Sequence, residues 1–433
     1  MPRVQSWGRL TNDLHTVITA PDPGAMATAV RESAAGIARG NGRSYGDVGL
    51  NADGILWDTR GLDRLIAWDP QSGVLRCEAG VLLKDIQQAL LPQGWALPVT
   101  PGTQLVTVGG AIANDVHGKN HHLAGSFGNH VRAIRLVRSS GEILWCSATL
   151  NPPLFGATIG GLGLTGVILE VELQLRRALG PWLDVETLPF SGLSQFFQLS
   201  EESENGWEHT VAWLDCLSGG RQSRGVFTRA RPVDVDRPLP AKPRPHGVPL
   251  VPPISLVNRL SLRPFNLAYH LAQRWKPRQA IEHYEKHLYP LDALLDWNRM
   301  YGPKGFYQYQ SVVPRAAGLD ATALMLEEIR RSGSGSFLAV LKVFGGTRPT
   351  GMLSFPRAGV TLALDFPNQG EKTLRLFERL DAIVLEAGGA LYPAKDARMS
   401  AGMFEAGFPR LSEFLPLRDP GMSSGFSRRV LGF

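Results

Sequence analysis

Thr107-Val108-Gly109-Gly110-Ala111-Ile112-Ala113-Asn114-Asp115-Val116-His117-Gly118-Lys119-Asn120-His121-His122, followed by Gly125-Ser126-Phe127-Gly128, is the stretch on which the fold of this chain turns. Small residues dominate where a bulky ligand needs room, and the polar residues between them are rich in hydrogen-bond donors. Upstream, Arg39-Gly40-Asn41-Gly42-Arg43-Ser44-Tyr45-Gly46-Asp47 carries three glycines in seven residues. Such a loop bends sharply and turns successive N–H groups toward one point, an anion nest to which Arg43 and Ser44 add donors suited to phosphate. Downstream, Thr158-Ile159-Gly160-Gly161-Leu162-Gly163-Leu164-Thr165-Gly166 is a third loop of the same kind. One such loop alone reads as a surface turn. Three of them, entering three strands, are what a domain wrapped around an extended ligand requires.

The bulk numbers set the frame. At 433 residues the chain exceeds one ordinary core, so two domains are expected. Its 43% hydrophobic and 19% charged residues are those of a globular protein. A net charge of +6 without a dense Lys/Arg run argues against nucleic acid and for weak attraction to anionic lipid or phosphate. Cys77, Cys146 and Cys216 are far apart, which excludes a C-x-x-C metal site or disulfide framework and suits a reducing compartment. No apolar h-region or membrane-length apolar run is present, so the expected location is cytoplasmic, with at most peripheral contact at the inner membrane.

The first half alternates short strands and helices. Asp22-Pro23 starts a helix over 25–34. Strands are expected at 54–58, 74–77 and 166–175, a helix over 82–90, and a hairpin at 133–137 and 143–146 around Ser140-Gly141. After residue 180 the texture changes. The proline-crowded stretch 231–253 reads as a mobile loop without regular pairing. Helical patterns at 268–275, 321–331 and 373–387 alternate with strands at 307–313 and 337–343. In the last helix Leu374, Phe377, Leu380, Val384 and Leu385 define the apolar face, and Gly388-Gly389 ends it. This order predicts an α+β domain with helices on one side of a sheet.

The glycine loops are not a nicotinamide fingerprint, because the G-x-G-x-x-G register and its following helix are missing. His117, His121 and His122 lack the Asp, Glu or Cys partners of a metal site, and Lys119 among them repels a cation, so no metal is expected. Lys342 lies in the apolar run Phe337-Leu338-Ala339-Val340-Leu341-Lys342-Val343-Phe344, where a lysine needs a partner such as a substrate phosphate. Gln308 and Gln310 share one face of a strand. Taken alone, they read as a solvated face and Lys395 as an exposed loop lysine.

The three glycine loops and the Pro101-Gly102-Thr103 segment resemble the vanillyl-alcohol-oxidase-type FAD-binding domain. The run His-Gly-Lys-Asn-His-His with Gly-Ser-Phe-Gly is similar to a narrower family, the decaprenylphosphoryl-β-D-ribose 2′-oxidases. The similarity continues through Trp297-Asn298-Arg299, Gln308-Tyr309-Gln310, Lys342-Val343-Phe344-Gly345, Asp365-Phe366-Pro367 and Ala394-Lys395-Asp396. It implies a two-domain fold: an FAD-binding domain over 1–178, an α+β substrate domain built on an antiparallel sheet over 179–388, and a C-terminal return to the first domain over 389–433.

The resemblance implies FAD lined by Arg39, Gly40, Asn41, Gly42, Arg43, Ser44, Tyr45, Gly46 and Asp47, with Gly102, Thr107, Val108, Gly109 and Gly110. Asn114, Asp115, His117, Ile168 and Tyr392 complete that lining. It places Lys395 beside the flavin, as a base or as a cation stabilising the reduced flavin, with Tyr45, Lys119, Gln308, Gln310 and Lys342 around a sugar-phosphate pocket; Lys395 and Tyr45 are the catalytic candidates. Two positions depart. Arg43 occupies the place of a flavin-tethering histidine, so FAD is expected to be non-covalent. Ala363 and Thr361 stand where the family often has Cys and Asn, so thiol-directed inhibitors should fail. The implied activity is oxidation of the 2′-hydroxyl of a polyprenylphosphoryl ribose, with a short-chain reductase as partner for the second half of an epimerisation. Two alternatives stay open: an oxidase of a soluble sugar, alditol or aldonolactone, and a flavin-binding protein without turnover.

Overall fold

A computed structural model describes residues 1–240 and 246–433. Its first element of note is the helix Pro23–Glu32, which starts where the Asp22 carboxylate accepts from the Ala25 N–H at 2.9 Å. The helix carries the chain from strand Thr16–Thr19 to strand Gly36–Arg39, and both pair in parallel with the central strand Ile55–Asp58. A second, five-stranded antiparallel sheet runs in the order Ile143–Ser147, Val131–Val137, Val167–Gln174, Val74–Glu78 and Leu65–Trp68. The hairpin, the long strand and the helix Leu83–Leu90 all lie where their patterns put them.

The second half is built on an eight-stranded antiparallel sheet. Its order is Gln279–His283, Trp182–Ser191, Arg224–Pro232, His209–Leu214, Val340–Phe344, Gly359–Pro367, Phe306–Val313 and Ala390–Leu391. The expected α+β architecture is therefore present. Helices Leu193–Ser203, Gly318–Ser332 and Glu371–Glu386 pack on one face. Strand alternation assigns the residues: Leu362, Leu364 and Phe366 join the helix-side core with Phe377 and Leu380, while Thr361, Ala363 and Asp365 point to the opposite face.

Three expectations need correction. In Glu371–Glu386 the buried face is Thr373, Leu376, Phe377, Leu380 and Val384, and Leu385 is exposed. Leu374 is only half-buried, because the 3.6-residue repeat runs through Leu376 instead. The helix expected over 268–275 begins nine residues earlier, as Arg259–Trp275, with Pro264 inside it and facing solvent. The proline-rich stretch is not free of pairing. Arg231 pairs with Asp184 and Pro232 with Leu183, where proline closes its strand, and His246–Gly247 bridges Leu294–Leu295. Residues 241–245 of that stretch lie outside the described residues.

The last residues return to the first sheets. Gly36 and Ser423 exchange backbone bonds with Gly421 and Gly36 at 3.0 and 2.8 Å, and Arg429 pairs with Asp47 at 2.8 Å. The buried Asp115 ties the glycine-rich stretch to the second half. Its carboxylate accepts from Ser126 Oγ at 2.9 Å, the Gly128 N–H at 2.8 Å and Ser354 Oγ at 2.5 Å. Asp115→Ala leaves the Gly128 N–H and the Ser354 hydroxyl buried without their acceptor. The expected loss is about 3 kcal/mol of unfolding free energy, read from urea titration of the purified protein. A loss below 1 kcal/mol, on the order of a surface substitution, counts against this role.

Candidate active site

One cavity of about 1000 Å³ separates the glycine loops from the polar face of the eight-stranded sheet. That is the upper end of the usual range for small-molecule pockets. On the loop side, Arg39 is the scaffold. Its guanidinium donates to the carbonyls of Gly49 at 2.9 Å and Gln5 at 2.7 Å, and burial lowers it to about 10. Gly42 sits at φ +62°, and a Cβ there would lie 2.4 Å from Arg39 Nη2. A Cβ on Gly46 would lie 1.6 Å from the Asp396 carbonyl oxygen, so only glycine lets this loop cross the C-terminal segment. The loop's backbone is held by Asn41 Nδ2 on the Leu105 carbonyl at 2.7 Å and by the Tyr45 N–H on the Ala394 carbonyl at 3.0 Å.

Two buried polar atoms on this wall have no partner: Arg43 Nε, a donor, and Asn114 Oδ1, an acceptor. Gly102 lines the same space with nothing within 4 Å of a Cβ built on it. Unsatisfied buried groups beside open room are what a polar cofactor would complete, so the residues fit a flavin dinucleotide. Among the residues expected to line it, Asp47, Val108 and Asp115 are not on the cavity wall. Asp47 faces Arg429, Val108 is packed in the core, and Asp115 is the clamp described above. The rest of that set lines the cavity, as do Lys119, Gln308, Gln310, Lys342 and Lys395.

The facing wall is electrostatic. Lys395 Nζ lies 4.0 Å from the centre of the Tyr45 ring. Burial pushes this ammonium down and the nearby carboxyl of Asp365 up. Asp365 accepts from Gln308 Nε2 at 2.6 Å. Burial also raises the Tyr45 phenol well above its ordinary value, so it keeps its proton. Lys342 Nζ is 3.1 Å from both His117 Nδ1 and the Gly118 carbonyl, and burial followed by repulsion from Lys119 and Lys395 lowers it to about 7. Lys119 donates to the His287 carbonyl and is lowered by burial to about 8.

His117 is held neutral by burial and by Lys342, and its Nε2 is 2.9 Å from the amide of Gln310. The other histidines have separate surroundings. The His121 ring packs on Phe344 with centroids 4.3 Å apart, and His122 bonds the Trp207 carbonyl at 2.9 Å. The three thiols are buried away from the cavity. Burial raises Cys77 and Cys216 to about 12 and Cys146 to about 11. Asp365 escaped the reading of the sequence. An acid inside Leu362-Ala363-Leu364-Asp365-Phe366 carries the same signal that singled out Lys342, a charge in an apolar strand.

Residues 23–147 match the FAD binding domain family. The chain is thus an FAD-dependent oxidoreductase. Over 452 aligned residues, 99% of this chain and 97% of the relative, it is 36% identical to decaprenylphosphoryl-beta-D-ribose oxidase of Mycolicibacterium smegmatis. The chain belongs to the decaprenylphosphoryl-β-D-ribose oxidase family. It is also 31% identical to a Streptomyces coelicolor protein over 81% of this chain and 100% of that one. Similarity to L-gulonolactone oxidase of Mus musculus, at 34% identity, covers 31% of this chain and 30% of that enzyme.

The loop geometry bears on how the flavin is held. Arg43 stacks on Trp7, its Cζ 4.2 Å from the ring centre, and a guanidinium forms no flavin tether. Acid precipitation of the purified yellow protein is expected to release the flavin into the supernatant. Flavin absorbance remaining in the washed pellet would overturn non-covalent binding.

Proposed function

We propose that this protein oxidises the 2′-hydroxyl of polyprenylphosphoryl-β-D-ribose to the 2′-keto sugar. The observation that carries the reading is a single cavity in which the FAD side meets a wall bearing Lys395, Gln308, Gln310 and Lys342. The name of the Mycolicibacterium relative supports the sugar lipid as substrate. When bound, FAD supplies the acceptor for a hydride leaving a carbinol carbon. Lys395 Nζ, pushed toward its neutral form by burial, takes the proton of the hydroxyl. Tyr45 keeps its own proton and walls the ammonium from solvent. Gln308 is held by Asp365 and orients the sugar. Lys342 and Lys119 bind the phosphate.

A 2′-keto product regains a hydroxyl of opposite configuration only by reduction. The partner of this reaction is therefore a reductase, of the short-chain dehydrogenase/reductase type, and the pair converts a ribosyl to an arabinosyl lipid for arabinan of the cell envelope. Among the described residues no helix is long and apolar enough to cross a membrane. A lipid-linked substrate favours peripheral attachment at the cytoplasmic side of the inner membrane, with residues 231–240 and 246–253 near the mouth of the site. Division at 178 and 388, with 389–433 returning to the FAD side, is supported by the bonds of Arg429 and Ser423 to residues 47 and 36. Pairing of Ala390–Leu391 with Ser311 and Val312 extends the sheet past 388.

Anaerobic mixing of the holoenzyme with polyprenylphosphoryl-ribose is expected to bleach the flavin, and soluble ribose is not. Absence of bleaching would reject the substrate. In the same stopped-flow assay Lys395→Ala retains FAD and slows reduction about a hundredfold or more. Lys395→Arg restores little, because guanidinium is no base and needs a different geometry. An unchanged rate per bound flavin in Lys395→Ala removes this residue from the chemistry.

Lys342 gives a pH signature. Its folded pKa near 7 lies below the ordinary 10.5, so above pH 7 the free enzyme has lost this proton and anion binding must restore it. KM for the phosphorylated substrate is expected to rise above pH 7, by up to about tenfold per unit. In Lys342→Met the step near 7 disappears and only the steps of Lys119 and Lys395 near 8 remain. A wild-type KM flat from pH 6 to 9 contradicts this role.

A further inference from the structure

Between Asp236 and Glu282 the chain contains eight Lys and Arg residues and no Asp or Glu. The helix Arg259–Trp275 lies in this stretch. Its inner face is fixed to the protein. Asn258 caps it, accepting from the Leu260 N–H at 3.0 Å, and Leu262, Asn266 and His270 are buried. Asn266 donates to Asp215 at 2.9 Å, and the Phe265 and Tyr269 rings pack on Phe337 and Trp213 with centroids 4.4 and 4.6 Å apart.

The outer face is apolar. Leu260, Pro264, Leu267, Leu271 and Trp275 follow one another at helical spacing, on the side opposite Leu262 and Asn266. Leu260 is 88% and Trp275 87% exposed, and Leu250 and Ile254 beside the helix are 77% and 71% exposed. Soluble proteins rarely present so many large apolar side chains in one patch. The cavity opens here: Tyr269, Gln273, Lys276 and Pro277, from the end of this helix, line it together with Leu294 and Leu295.

We propose that the outer face of Arg259–Trp275 is the surface by which this protein lies on an anionic lipid bilayer, with the mouth of the active site against the headgroups. The occupant follows from charge and shape. An acid-free, basic stretch suits anionic headgroups, and a helix too short to span the hydrocarbon, carrying Leu and Trp on one side, suits insertion in the plane of the interface. The inference rests on the lipid-linked substrate above in one respect: such a substrate reaches the cavity from the bilayer without crossing water.

The test is flotation of the holoenzyme with vesicles, without substrate. The protein is expected to float with phosphatidylcholine/phosphatidylglycerol vesicles at low salt, less so at high salt, and weakly with phosphatidylcholine alone. The combined Leu267→Gln, Leu271→Gln and Trp275→Gln variant, altered only at exposed positions outside the cavity, is expected to lose binding about tenfold or more. Its flavin should be bleached by a micelle-dispersed ribosyl lipid at the wild-type rate, which shows that fold and chemistry are intact. Three results overturn the proposal: wild type that stays with the soluble fraction, a variant that floats as well as wild type, or light scattering that shows the patch occupied by a second copy. Because flotation uses no substrate, its failure is separable from a failure of the bleaching assay.

Discussion

Lys119, Lys342 and Lys395 bury three ammonium groups in one cavity, and the rest of the site is arranged around that burden. An ammonium removed from water is costly unless its hydrogen bonds and field are answered. Each lysine is answered only in part: Lys395 by the Tyr45 ring and Asp365, Lys342 by His117 and the Gly118 carbonyl, Lys119 by the His287 carbonyl. The shortfall is visible in the lowered proton affinities. It makes the cavity a place where an anion is stabilised more than in water. His117 lies between two of these groups: Lys342 Nζ is 3.1 Å from its Nδ1 and Gln310 Nε2 is 2.9 Å from its Nε2, while Gln310 Nε2 also donates to the Thr361 hydroxyl at 3.2 Å.

That arrangement depends on sheet register. Gln308 lies opposite Asp365, Gln310 opposite Ala363 and Lys342 opposite Thr361. Side chains alternate along each strand, so the residues between them, Tyr309, Leu341, Leu362 and Leu364, enter the core shared with the helices. A slip of one residue would drive a lysine, two glutamines and an aspartate into that core and put leucines in the site. Register is thus fixed by the helix-side core, and the active site inherits its precision from residues that never touch a ligand.

Much of this was legible because the chemistry left local marks. Asp22-Pro23 named a helix start, Ser140-Gly141 a hairpin, and Gly40, Gly42 and Gly46 a sharply bending loop. Lys342 stood out because a charge interrupts an apolar strand. Two of the failures depend on a partner far along the chain. Asp115 sits among cofactor-facing residues, yet its oxygens are taken by Ser126, Gly128 and Ser354. Asp47 ends the glycine loop, yet it faces Arg429. In Arg259–Trp275 the apolar face is turned outward, and Pro264 obscured the helix start. Leu385 was assigned to the core by spacing alone, where the phase of the helix on the sheet decides.

The departure at Ala363 and Thr361 shows what the chemistry does not need. Ala363 lies opposite Gln310 on one neighbouring strand and opposite Val340 on the other, at the centre of the polar face. A methyl group there offers no nucleophile, and Cys77, Cys146 and Cys216 are buried elsewhere. The groups that can move or hold a proton, Lys395, Asp365 and His117, are all provided without a thiol. Thr361 instead supplies a hydroxyl within 3.2 Å of the Gln310 amide and so fixes a side chain on the cavity wall. Substitution at these two positions therefore alters the shape of the pocket and its reactivity toward electrophiles, while Lys395 and Asp365 stay in place beside it.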